Sequence, residues 1–462
     1  MIQSEAPVAG DGRPTQPLPA LQLVRLSLYW LGLTAVFAGI GGILQGRLQF
    51  EGLVPAGTEG EALFRMTALG AVIAMLVQPT VGTISDYTMT RWGRRKPYIL
   101  IGTVLDMVFL LGVASSNTVL AIAAFIVLLQ VSSNFAQGPF QGYVPDLVPA
   151  KQVGVASSLV GLFQVLGNVV GFGLAAGAVA LVARFDGAFF WATLALGVLE
   201  LATMLSVVIR VDDGRAAKDR GGRSWLSIAR EAWGADVLRE RSFLFLVGSR
   251  FLVLMGGGVL INLATFYLAQ SLRLDSTETG LALFGVLAVV TVGNVVAVVP
   301  AARLSDRIGR KKVIYLACAL GSSGLAVVAV APGVPVALVG AGLFGVGSGS
   351  FLAVDWALMT DIIPKAESGR YMGISNVATA SSGIVAIAVA GGLVMDRVND
   401  ALGYGAGPRA ALVVGVIAFA LGALVLTPVD ETRREDVPAP PDDAPPDDAP
   451  PPDEAVPVPV VA

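Results

Sequence analysis

Long uncharged stretches alternate with short charged ones along the chain. Runs free of Asp, Glu, Lys and Arg cover 26–46, 66–85, 107–145, 155–183, 251–272, 281–302, 313–354, 371–395 and 410–429. A helix rises about 1.5 Å per residue, so about 20 apolar residues cross about 30 Å of hydrocarbon. The run 107–145 is long enough for two helices and holds Ala114-Ser115-Ser116-Asn117 as a turn. The run 313–354 does the same around Pro332-Gly333-Val334-Pro335. A further span over 188–210 is interrupted only by Glu200. The pattern predicts twelve membrane-spanning helices, because lipid leaves helices and closed barrels as the only ways to satisfy the backbone. The expected class is an all-α membrane protein.

Basic residues orient these helices. With a cytoplasmic N-terminus, only Arg47, Arg65, Arg184, Arg273, Arg397 and Arg409 of the 31 Lys and Arg fall in outside loops, and Arg250 lies within a helix. That bias predicts a multi-pass protein of the plasma (inner) membrane with both termini cytoplasmic. Residues 1–20 read as a disordered cytoplasmic N-terminus without the basic start and apolar core of a signal peptide. Residues 21–210 and 243–429 read as two six-helix bundles. Residues 211–242 read as a cytoplasmic linker, with Trp225, Ile228, Ala229, Ala232 and Trp233 on one face of an amphipathic helix. Residues 430–462 are Pro-rich and carry ten acids against two bases, which predicts a disordered acidic cytoplasmic tail.

The two halves repeat. Ser85-Asp86 followed by Gly93-Arg94-Arg95-Lys96 has a counterpart in Ser305-Asp306 followed by Gly309-Arg310-Lys311-Lys312. Asp146-Leu147-Val148-Pro149 has a counterpart in Asp361-Ile362-Ile363-Pro364. Both pairs of motifs show nearly the same offset, which marks two parallel six-helix repeats related by an axis along the membrane normal. Two such bundles enclose a central cavity suited to alternating access.

Composition narrows the function. Hydrophobic residues make up 55% and charged residues 14% of the 462 positions, against about 25% charged in soluble chains. A single cysteine, Cys318, excludes a disulfide framework, and the absence of histidine excludes histidine catalysis and histidine metal ligands. No Gly-x-x-x-x-Gly-Lys-Ser/Thr loop appears, so nucleotide drive is not expected. No nucleophile–base pair is visible, and the expectation is a non-enzyme without cofactor or metal. The charge outside the tail is too diffuse for nucleic acid.

The doubled loop motif resembles that of the major facilitator superfamily. Arg91-Trp92-Gly93-Arg94-Arg95-Lys96-Pro97-Tyr98 and Asn134…Gln137-Gly138-Pro139…Asp146 are similar to elements of the glycoside–pentoside–hexuronide:cation and sucrose:proton symporters. The resemblance implies the major facilitator fold and a secondary active transporter, a sugar or glycoside:proton symporter working as a monomer. It also implies a gating role for the loop residues Asp86, Arg94, Arg95, Asp306 and Arg310. One departure is Gln141, where the plant sucrose carriers have an arginine. A proton-coupled drug or metabolite exporter of the same fold is the alternative, and sodium is an alternative coupling ion.

Candidate solute contacts follow from polar residues inside spans. Gln130, Asn134, Gln137 and Gln141 fall on one face of the fourth helix. Gln164 and Asn168 share a face of the fifth, and Asn262 and Asn376 sit on the seventh and eleventh. Amides donate and accept, which suits sugar hydroxyls. Trp356 could stack on a sugar ring, as could Tyr29, Trp30, Phe37, Phe140 and Tyr143. Ionisable residues at depth are functional candidates with a partner to be named. By the family's arrangement Arg250 and Asp355 form a cavity pair in which Asp355 exchanges a proton. Asp106 is a second proton candidate, and Glu200 reads as structural.

Overall fold

The computed structural model describes residues 16–88, 90–211, 222, 224, 241–362 and 368–429, without the side chains of 360, 362, 368–374 and 376. The amphipathic linker helix, the acidic tail and the first fifteen residues expected from sequence lie outside the described residues, as does the side chain of Asn376. Twelve helices are long and apolar enough to cross a membrane. In chain order they are α1 (Ala20–Phe50), α2 (Glu59–Asp86), α3 (Lys96–Ser115), α4 (Val119–Gln141), α5 (Val153–Leu181), α6 (Ala188–Arg210), α7 (Arg241–Phe266), α8 (Ser276–Ile308), α9 (Arg310–Val330), α10 (Val334–Ile362), α11 (Ser368–Ala386) and α12 (Gly407–Val425). Two of them change winding before they end. α7 continues as a π-helical turn, Tyr267–Ser271. α11 continues as a π-helical stretch, Ile387–Met395, and a last helical segment, Asp396–Leu402.

Local chemistry sets the boundaries that the uncharged runs suggested. α4 starts after the Ser-Asn turn because the Thr118 side chain accepts from the Ala121 amide at 3.3 Å. α8 starts with a capping box, in which Asp275 and Glu278 each satisfy the other's backbone N–H. Proline occupies the first turn of α3 and α12, where no amide donor is needed. Gly93 and Gly309, the motif glycines of the two repeats, both adopt positive φ, at 109° and 99°. That is the region glycine enters without penalty, so the repeated glycine has a backbone cause.

Helix packing repeats six helices on. α1 packs on α5 and α6, as α7 does on α11 and α12. α4 packs on α2 and α3, as α10 does on α8 and α9. α3 packs on α6, as α9 does on α12. Two related seams then join the halves, α2 against α11 and α5 against α8, with α1 against α7 between them.

The polar links between the halves gather at the end of the bundle away from the Gly-Arg loops. Asp396 accepts from the Gly60 and Glu61 amides at 3.1 and 2.7 Å. Gln45 Oε1 accepts from the Thr265 amide at 3.2 Å, and Gln270 donates to Gln49 at 2.9 Å. Tyr404 donates to Glu59 at 3.0 Å, and Thr277 to the Ala180 carbonyl at 3.3 Å. Gln270 belongs to the π-helical turn of α7, and π turns recur where a helix is bent to function.

Candidate functional site

Arg250 and Asp355, the two charges that the family resemblance pairs, meet between the spans α7 and α10. The Arg250 guanidinium pairs with Asp355 Oδ2 and donates from Nε to Thr379 Oγ1 at 3.1 Å. Its carbon lies 5.7 Å from the Trp356 ring centroid, within cation–π range. Three helices thus converge: α7 supplies the cation, α10 the acid and the indole, α11 the hydroxyl. Asp355 is 1% exposed while Trp356 is 47% exposed. The cluster therefore grades from an enclosed ion pair to an open aromatic face. Asp355 Oδ1 is buried and has no hydrogen-bond partner among the described residues. A carboxylate oxygen without a donor at depth is costly, and this atom can accept a further hydrogen bond.

The amides of the first half are placed less uniformly than their spacing suggests. Asn134 is buried and donates back to the Gln130 carbonyl at 2.8 Å. Gln130 packs against α2 at Gly70. Gln137 is half-buried and Gln141 exposed, so the lower part of the stripe stays open. Gln164 and Asn168 on α5 are half-buried. Asn262 on α7 donates to its own helix at Gly258, 2.8 Å away, leaving its carbonyl oxygen as the acceptor it can offer. Of the aromatic candidates, Tyr29, Phe140 and Tyr143 stack edge-on at 4.8 and 5.6 Å and are fully buried. They are the core of the first half, not a platform for solute.

Asp106 is fully buried between α3, α4 and α6. Ser132 donates to its Oδ1, and Ser133 to its Oδ2 at 2.9 Å. Glu200 on α6 is equally buried, and the Tyr29 hydroxyl joins the two helices, donating to Glu200 at 3.4 Å and meeting Thr103, one turn before Asp106, at 2.5 Å. The sequence shows these two acids separately and gives no sign that they share one buried region.

The loop motif forms the same device twice. In the first half Arg95 reaches Asp86 at 2.8 Å and Asp146 at 2.9 Å, while Arg94 pairs with Asp146. In the second half Arg310 reaches Asp306 at 2.6 Å and Asp361 at 3.4 Å. Each staple ties the end of the second helix of a repeat to the end of the fourth. Each of these pairs lies within one half. The sequence carries a signal for this partnership, since the Asp146 and Asp361 motifs share the offset of the Gly-Arg motifs, but spacing alone does not say that the two motifs touch.

A family model described as "MFS/sugar transport protein" matches residues 56–428. The chain belongs to this family. It is therefore a transporter of the major facilitator superfamily and a multi-pass membrane protein. Among curated relatives, Sucrose transport protein SUT1 of Oryza sativa subsp. japonica is 30% identical over 129 residues, 23% of this chain and 24% of that one. Sucrose transport protein SUT3 of Oryza sativa subsp. indica is 29% identical over 198 residues, 37% and 38% of the two chains. The alignments thus span between about a quarter and two fifths of those relatives' length. Among solved structures, a point mutant of the nucleoside transporter NupG superposes with a TM-score of 0.68 at 14% identity, covering 88% of this chain and 99% of that one. A bacterial homologue of the human lysosomal transporter Spinster, inward-facing and occupied, gives 0.66 at 12% identity, covering 88% and 96%. At these identities the two structures share the major facilitator fold with this transporter.

Proposed function

We propose that this transporter is a sugar or glycoside:proton symporter that works by alternating access as a monomer in the plasma membrane. One observation carries the reading: the Arg250–Asp355 pair lies against the half-exposed Trp356 indole and the exposed Thr379 hydroxyl within the membrane. A sugar ring presents C–H groups to an indole face and hydroxyls to a carboxylate and a guanidinium. The sucrose transport relatives favour this class over the exporter of the same fold. Asn262 is the further candidate on the second half, and the half-buried Gln137, Gln164 and Asn168 and the exposed Gln141 are the candidates on the first.

The Gly-Arg loops then mark the cytoplasmic end, with both termini on that side. The two bundles, 21–210 and 243–429, are tied at the outer end, so solute leaves toward the cytoplasm from this conformation. Asp355 takes a proton when Arg250 turns away to solute or water, and returns to the ion pair when the proton leaves. Asp86, Arg94, Arg95, Asp306 and Arg310 hold each half rigid as it rocks. A proton crossing 100 mV supplies about 2.3 kcal/mol, equivalent to roughly 50-fold accumulation at about 1.4 kcal/mol per tenfold.

The test is uptake of a labelled disaccharide into proteoliposomes under an acid-outside gradient. Accumulation that collapses with a protonophore supports symport. No uptake across a panel of sugars, with efflux of other solutes intact, sinks it in favour of the exporter.

A further inference from the structure

A cavity of about 170 Å³ lies in the second half, on the side of the Arg250–Asp355 pair away from the Gly-Arg loops. Its walls include Leu254 and Ile261 of α7, Asn294 of α8, and Phe344, Ser348 and Phe351 of α10. Only Asn294 and Ser348 among its lining residues are polar. The cavity and the ion pair share two helix faces. From Arg250, Leu254, Gly257 and Ile261 follow at offsets of four, seven and eleven residues. Back from Asp355, Phe351, Ser348 and Phe344 lie at the same offsets. Those spacings keep each set on one side of its helix. The rise from Asp355 to Ser348 is roughly 10 Å, the reach of two linked six-membered rings. At the far edge of the cavity α1 holds α7. Gln45 donates to the Ile261 carbonyl at 3.4 Å and accepts from the Thr265 amide at 3.2 Å. The cavity thus lies between the ion pair and a tie that joins the halves.

The lining selects what can enter. A sugar carries a hydroxyl on nearly every carbon, and hydroxyls taken into an apolar cavity without partners are penalised. Two polar side chains cannot serve so many. A bare ring gains from the same burial. Size agrees, since an apolar cavity of roughly 150 Å³ takes up a benzene ring. Asn294 adds one directional requirement. Its Oδ1 is buried and meets no donor among the described residues. An amide both donates and accepts, as a hydroxyl does. We propose that this cavity is a second solute subsite, which takes the aglycone of a glycoside as a compact apolar ring carrying a hydroxyl, while the sugar ring stays at Arg250, Asp355 and Trp356. Asn294 is the residue that selects the hydroxyl on that ring. The proposal rests on the sugar-or-glycoside reading above and narrows it, because the second ring of a disaccharide brings more hydroxyls than the subsite can satisfy.

Calorimetric binding to the purified full-length protein tests the subsite without asking for coupled transport. The probes are methyl glucoside, phenyl glucoside, 4-hydroxyphenyl glucoside and sucrose. Phenyl glucoside is expected to bind about tenfold more tightly than methyl glucoside or sucrose. The 4-hydroxyphenyl glucoside is expected to bind about fivefold more tightly still. Methyl glucoside or sucrose bound as tightly as phenyl glucoside overturns the subsite and leaves the sugar reading standing. No binding of any of the four overturns the sugar reading, and the subsite with it.

Two variants locate the ring. Asn294→Leu keeps the wall apolar and removes the amide, so the preference for 4-hydroxyphenyl over phenyl glucoside is expected to disappear. Gly257→Ala adds one methyl that would meet the Phe344 ring at an ordinary contact distance of 3.4 Å. The fold tolerates it, and the cavity narrows. Its preference for phenyl over methyl glucoside is expected to fall about fivefold. An unchanged preference in Gly257→Ala overturns the placement of the ring, and an unchanged preference in Asn294→Leu overturns the role of the amide. Should Asn294→Leu not fold, Gly257→Ala decides alone.

Discussion

The Asp396 carboxylate at the end of α11 caps the N-terminus of α2 from the other half, accepting from Gly60 N–H at 3.1 Å and Glu61 N–H at 2.7 Å. A carboxylate at a helix N-terminus satisfies orphan donors and meets the positive end of the helix dipole. Hydrogen bonds to a charged group contribute about 1.5–3 kcal/mol. Asp396→Ala is expected to shift the conformational equilibrium roughly 10- to 100-fold toward open at this end. Spin labels at Ala56 and Ala401, on opposite halves and both exposed, measure it, and an unchanged distance distribution counts against the latch.

Arg250 holds Asp355 and Thr379 with two differently directed N–H groups. Lysine lacks that fork. Arg250→Lys is therefore expected to reduce transport nearly as far as Arg250→Ala. Removing one partner of a buried ion pair costs about 3–5 kcal/mol, so Arg250→Ala lowers thermal stability strongly and Arg250→Ala with Asp355→Ala recovers part of the loss. Melting of the purified single and double variants checks the order.

The first-half staple sets two buried arginines on two acids, whereas Arg310 in the second half is partly exposed. Solvent screening weakens exposed pairs. Arg95→Ala is thus expected to destabilise the protein more than Arg310→Ala, by about 1–2 kcal/mol. Gly142→Ala disturbs the same site, since a Cβ there would overlap the pinned Arg95 guanidinium. Thermal melting of all three variants settles the ranking, and equal losses contradict it.

Burial pushes the Tyr404 hydroxyl from its ordinary 10.0 up to about 12. The folded protein holds this proton more tightly than the unfolded chain does. Its contribution is present in full below about pH 10 and is lost as pH rises toward about 12. The stability difference between wild type and Tyr404→Phe is expected to be flat up to about pH 10 and to shrink above it. Melting curves from pH 8 upward test this.

The twelve spans were legible because an uncharged apolar run of about 20 residues matches the thickness of a bilayer and little else. Arg250 and Asp355 were each legible as a charge at depth, and their pairing was what the family resemblance implied, not something the spacing showed. Asp106 and Glu200 were visible as charges but not as neighbours of one tyrosine–threonine contact, since that depends on how α1, α3 and α6 face one another. Asp396 follows the end of an uncharged run by one residue and reads as loop. Its role appears only once α11 is laid beside α2. The amide stripe shows the opposite failure. Its spacing puts four residues on one face, but Asn134 turns back to its own helix and Gln130 packs on α2.

The two seams between the halves are related by the repeat yet differ in chemistry. The α2–α11 seam carries the Asp396 cap. The α5–α8 seam brings Gly280 so close to α5 that a Cβ would sit 2.5 Å from the Ala176 carbonyl. Gly60 comes equally close to Gly391 across the α2–α11 seam, 2.5 Å from a would-be Cβ to the carbonyl oxygen, so close backbone approach is common to both flanks. What differs is the polar link: a carboxylate on two amides on one flank, and one threonine hydroxyl, Thr277, on the Ala180 carbonyl on the other. Duplication alone would have produced two equal flanks, and their divergence makes one costlier to part than the other.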